Sequence, residues 1–110
     1  GFLWKMIGDP HGLALWFSDE ITVKNNEFTF GWNDSQQTAY LQEIKNGKFI
    51  QFQWEEDKDT DFHFKIEIET QDMSGHIGLL VTDYALQEEK QDTIRMWNKQ
   101  IDDLKRKCGI

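Results

Sequence analysis

Few residues in this chain combine a type and a spacing that could do chemistry. The histidines are His11, His63 and His76. No two of them share the helical or strand spacing that chelates a metal, so they read as solvated surface residues. Asp57, Asp59 and Asp61 mimic the opening of a calcium loop. The loop then fails: its sixth position is Phe62 instead of glycine, and its twelfth is Ile68 instead of glutamate. Cys108, the only cysteine, has no histidine near it in sequence and follows Lys105, Arg106 and Lys107. Those bases could lower its pKa, but a packed or frayed cysteine at a helix end is the simpler reading. No glycine-rich run precedes a helix in the manner of a phosphate loop. The expectation is therefore no catalytic residue, no metal site and no cofactor.

Two features remain. Asp83 is in phase with Ile77, Leu79 and Val81, so it shares their side of a strand. An acid on such a face can orient a polar ligand group or act as a base. The competing reading is that it orients the start of the helix that follows. The second feature is the aromatic set, with eight Phe and five Trp. Aromatic rings bury roughly 150–250 Å² each, and most of these must form the core. Gaps between such rigid plates are where apolar ligands sit. The residues expected to line a pocket are Trp16, Phe17, Trp32, Trp54, Asp83, Trp97 and Ile101.

These residues must be positioned by elements that the periodicity reveals. Residues 2–7 end a short helix at Gly8. Asp9-Pro10 opens a second, as N-cap and first helical residue. Leu13, Trp16 and Phe17 form its apolar face. The period then changes to two. Ile21 and Val23; Phe28, Phe30 and Trp32; Ile50, Phe52 and Trp54; Phe62, Phe64, Ile66 and Ile68; and Ile77, Leu79 and Val81 are successive apolar stripes. A strand over residues 37–44 is patterned less cleanly. Asn25-Asn26, residues 33–36 and residues 71–75 turn between strands, and Asn46-Gly47 predicts a type I′ hairpin turn. The acidic run 55–61 is an exposed connection. A helix spans about residues 88–107, with Ile94, Trp97, Ile101, Leu104 and Cys108 on one face and Gly109 as its C-terminal cap. Six strands in a meander, covered by that helix, make an α+β architecture. Phe28, Phe30, Phe52, Phe64, Ile66, Leu79, Val81, Trp97, Ile101 and Leu104 are expected to be buried. The pocket is expected between the sheet and the C-terminal helix, with the two short helices closing one end.

At 110 residues the chain is one domain, able to bury roughly two thirds of its unfolded surface. Its net charge of −8 argues against nucleic acid and anionic membranes as partners. The longest apolar run is far too short to span a bilayer. A lone cysteine permits no intrachain disulfide and no signal peptide opens the chain, so a cytoplasmic location is expected. Asn33-Asp34-Ser35 matches a glycosylation sequon but reads as a turn.

The order of elements resembles the helix-grip fold. Asp9-Pro10-His11-Gly12-Leu13 with Trp16-Phe17 is similar to a segment of the START-like (SRPBCC) superfamily, shared by homologues of the activator of heat-shock-protein ATPase. Val81-Thr82-Asp83-Tyr84-Ala85 and the helix carrying Trp97, Gln100, Ile101, Leu104 and Lys105 resemble a bacterial START-like subgroup. The resemblance covers residues 1–110 as a single domain and implies a curved sheet around the C-terminal helix with a cavity between them. It also implies a strand before the first helix, paired beside the last strand. Nothing here precedes Gly1, so that strand is expected to be missing. The edge along residues 77–84 would then need a partner, its own absent strand or a second molecule in a homodimer. The family's range implies a cavity but no particular ligand; with the aromatic set, the expectation is a non-catalytic binding module for a small apolar molecule. The alternatives are a co-chaperone-like protein-interaction domain and an enzyme of the cyclase or hydrolase kind.

Overall fold

The computed structural model describes residues 2–70 and 77–108. Helix α1 spans Phe2–Ile7 and α2 spans Pro10–Trp16. Asp9 is extended and its carboxylate accepts the backbone N–H of His11 at 2.8 Å, which caps α2 as the sequence predicts. The two helices pack through very little side chain. A methyl group on Gly12 would run into the Lys5 carbonyl oxygen and the Met6 Cα. The Trp16 indole N–H donates to the Met6 carbonyl at 2.7 Å, closing the same contact with a hydrogen bond.

Six strands follow in strict meander order. They are β1 (Glu20–Lys24), β2 (Glu27–Trp32), β3 (Ser35–Lys45), β4 (Phe49–Trp54), β5 (Phe64–Thr70) and β6 (Ile77–Thr82), all antiparallel. Helix α3 covers Lys90–Cys108, after one turn of 3-10 helix at Gln87–Glu89. The register sets Phe28 opposite Ala39, Phe52 opposite Phe64 and Ile50 opposite Ile66, all buried on one face. On that face Phe17, Phe30, Phe52, Phe64 and Trp97 meet ring to ring at centroid distances of 5.0–5.9 Å. The rings lie between the sheet and α3. Helix α3 packs on α1 and α2 and reaches the sheet through Trp97, which meets Phe17 and Phe64.

Several details differ from the sequence reading. The turn after β3 is not type I′. Gly47 alone has positive φ (80°), and the Lys48 N–H bonds the Lys45 carbonyl at 2.9 Å, the pattern of a type II turn. Lys48 is an extra loop residue whose carbonyl accepts from Ile68 N–H on β5. The blurred pattern of β3 has a cause: its register against β4 shifts between Leu41 and Glu43. Phe62 lies before β5, not in it, because the Thr60 hydroxyl and the Gln53 amide hold the chain there in a bend. Leu79, Val81 and Ile101 are half-buried, where burial was expected, and Ile94 is exposed. These residues border open space between β6 and α3 instead of packing against one another. The turn at residues 71–75, His76 and the Gly109 cap lie outside the described residues.

Gly12 generates a test. Gly12→Ala should destabilise the domain by about 2–3 kcal/mol or more, since backbone atoms cannot rotate out of the way as a side chain can. Chemical denaturation of both proteins measures it; an unchanged midpoint would mean that α1 and α2 are not packed this closely.

Candidate functional site

Between β6 and α3 lies a groove of about 600 Å³. Leu79 and Val81, alternate residues of β6, supply one wall. Ile94, Trp97 and Ile101, spaced by three and four, supply the other. The segment joining the two elements brings in Asp83 and Tyr84, and the first turn of α3 adds Lys90.

Asp83 is the group that ties this site to the fold. Its Oδ2 accepts the Trp97 indole N–H at 2.8 Å, and its Oδ1 accepts the Tyr84 backbone N–H at 2.7 Å. Its bond to Trp97 reaches the middle of α3 and does not cap the helix start. It fixes the helix through Trp97, and it faces the groove. Burial pushes its carboxyl above the usual range. The bonds from Trp97 and Tyr84 pull the other way; nearby Asp57 adds to the rise and His63 subtracts from it.

Of the residues expected to line a pocket, Asp83, Trp97 and Ile101 share this groove. Trp16, Phe17 and Trp32 instead border a depression of about 580 Å³ on another flank of α3, with Lys99, Asp103 and Lys107. There the Phe17 carbonyl accepts both the Trp32 indole N–H at 3.0 Å and the Gln100 amide at 3.1 Å, which leaves the Gln100 Oε1 buried without a partner. Trp54 borders a third depression, of about 400 Å³, with Thr38, Glu55 and Lys58, and its ring stacks on Phe64 at 4.9 Å. The sequence reading missed Ile94 and Tyr84 as groove residues and placed Leu79 and Val81 wholly in the core. Their strand and helix periodicity was visible. That the two stripes diverge was not.

The remaining candidates do other things. The run that mimics a calcium loop is closed by its own backbone: a 3-10 turn at Glu55–Asp57 is followed by Thr60 N–H bonding the Asp57 carbonyl at 2.9 Å. Among the described residues no three of His, Cys, Asp and Glu gather as a metal site. The His63 ring meets Tyr84 edge-on at 4.9 Å. Burial pushes the Cys108 thiol up, against the lowering that its basic neighbours suggested. Among the described residues no helix is long and apolar enough to cross a membrane.

A curved meander sheet with one long C-terminal helix is the fold of the START-like class. The family model for the START-like superfamily domain matches residues 1–110. The chain belongs to that superfamily. A solution NMR structure of a Bacteroides fragilis protein, a structural-genomics target, is similar to it at a TM-score of 0.64 and 31% identity, covering 98% of this chain and 80% of that one. A comparison with curated proteins finds no match.

The raised carboxyl of Asp83 makes stability depend on pH. Its protonated form suits the fold better than its charged form, so its contribution is full below the ordinary carboxylate value, about 3.9, and is lost as pH rises through the folded value. Asp83→Asn cannot titrate. The stability of the natural protein relative to that variant should fall as pH rises from about 4 and then level off. Paired thermal melts across this range, which subtract the titration of Asp57, His63 and other groups, measure it; a constant difference would show that burial does not disfavour the charge.

Proposed function

We propose that this START-like domain is a non-catalytic module that binds a small apolar molecule in the groove between β6 and α3. The observation that carries the reading is the groove itself. Its volume of about 600 Å³ falls in the range of small-molecule sites, and its walls are Leu79, Val81, Ile94, Trp97 and Ile101 around a few polar groups. Against catalysis stands its composition. Among the described residues that line it, Asp83 has no histidine, cysteine or second carboxylate to share proton transfer with.

An uncharged solvatochromic dye such as Nile red tests the reading. It should brighten on binding, and Ile94→Gln should weaken it about fivefold, the loss of one aliphatic side chain from the groove wall. Leu15→Gln, in the Trp16 depression, should leave it unchanged. A dye that ignored Ile94 and responded to Leu15 would move the site to that other flank.

A second reading, a protein-contact domain, is favoured by the rim of the groove. Phe62 stacks on Tyr84 with centroids 5.6 Å apart and planes 8° apart, and both rings are exposed beside the acidic run. Exposed aromatic pairs of this kind anchor protein contacts. Capture from lysate of the native host should then recover a partner that the double variant Phe62→Ser, Tyr84→Ser loses. Recovery undiminished by the variant would clear this rim of the role.

A further inference from the structure

Asp83, the acid among the groove's polar groups, narrows what the occupant can be. A carboxylate accepts about four hydrogen bonds. From the described residues Asp83 receives two, one on each oxygen, from Tyr84 and Trp97. Both oxygens keep acceptor capacity, and the residue lines the groove. Among the described residues no cation forms an ion pair with it, although His63 lies near enough to lower its pKa slightly. The ion pairs among the described residues are Lys65–Glu67, Arg95–Asp92 and Arg106–Asp103. Lys90 borders the same groove but forms no ion pair with Asp83 and is exposed. A half-buried acid against apolar walls is held where a charge partner would gain most, because the local dielectric is low.

The net charge of the chain favours the same sign, against the one lysine, Lys90, that borders the groove. The chain carries a net charge of −8, a field that draws small cations in and turns organic anions away. The other requirement comes from Leu79, Val81, Ile94 and Ile101, whose side chains offer an occupant nothing except apolar surface. A bare metal ion could not use those walls, and a fatty-acid anion would set its carboxylate against Asp83.

Resting on the groove as the ligand site, we propose that its occupant is an amphiphilic amine, with the ammonium group on the Asp83 carboxylate and the apolar body along Leu79, Val81, Ile94 and Ile101. Tyr84 and Trp97 act as positioning residues, since their N–H groups fix the carboxylate without neutralising it. The bond that forms is a charge-assisted hydrogen bond, about twice as strong as a neutral one. It makes the head group, more than the chain, the basis of selection.

Titration with n-octylamine, n-octanol and octanoate at neutral pH and moderate salt, followed by the Trp97 indole N–H resonance in NMR, tests this. That resonance is assigned by its loss in Trp97→Phe. The amine should bind about tenfold tighter than the alcohol, as expected for a hydrogen bond to a charged group, and octanoate should bind weakest. In Asp83→Asn, whose amide oxygen can still accept from Trp97, the amine should fall to within about twofold of the alcohol, with alcohol binding unchanged. Equal binding of amine and alcohol to the natural protein, which needs no variant, would overturn the amine assignment and leave the apolar groove standing. Silence of the Trp97 resonance toward all three would sink the groove itself. An amine that bound equally well after Ile94→Gln and without moving that resonance would be a surface ion, and the proposal would fall.

Discussion

Phe17 joins three elements twice over, through its ring and through its carbonyl. The ring lies at the end of α2 and touches Trp16, Phe30, Trp32, Phe64 and Trp97 at 5.0–5.9 Å between centroids. The carbonyl, freed by the end of the helix, accepts from Trp32 on β2 and from Gln100 on α3. A helix end leaves such carbonyls without internal partners, and here two long side chains take one. Sheet, short helix and long helix are therefore fixed relative to each other by one residue. Five other rings are arranged around it.

That arrangement decides where open space is left. Five large rings, of Phe17, Phe30, Phe52, Phe64 and Trp97, occupy the centre between the sheet and α3. The helix is tied to α2 by Gln100 and to the ring stack by Trp97. Its buried residues are Trp97 and Leu104, while Ile94 is exposed and Ile101 only half-buried. The groove opens where the helix stripe runs past β6. An aromatic centre and an open flank are two results of the same packing, because rings of fixed shape cannot spread to cover both.

Asp83 bridges the two sides of that opening. Its bond to the Trp97 indole joins the end of β6 to the middle of α3, and Trp97 in turn rests on Phe17 and Phe64. A neutral side chain could make the same bond. A carboxylate does so against the cost of desolvating a charge, and the upward shift of its pKa is the sign of that cost. A costly charge beside an apolar groove is where a binding function is best sought in this domain. The Phe62–Tyr84 stack beside it adds exposed aromatic surface to the same rim.

Most of the secondary structure was legible in the residues, because it rests on local chemistry. Asp9-Pro10 caps a helix whatever follows, and period-two stripes of Phe, Ile and Val make half-buried strands in any context. The meander order followed from short turns, and the burial of Phe28, Phe30, Phe52, Phe64, Ile66, Trp97 and Leu104 followed from the stripes. The site was legible only in part. That Asp83, Trp97 and Ile101 meet was within reach of periodicity, since each lies on a predictable face. That Trp16, Phe17 and Trp32 turn to another flank of α3, and Trp54 to a third place, was not. Periodicity reports which side of its own element a residue occupies. Which neighbour that side meets depends on how two elements cross, and the crossing here was set by Phe17 and its partners, as far apart in sequence as Trp32 and Gln100.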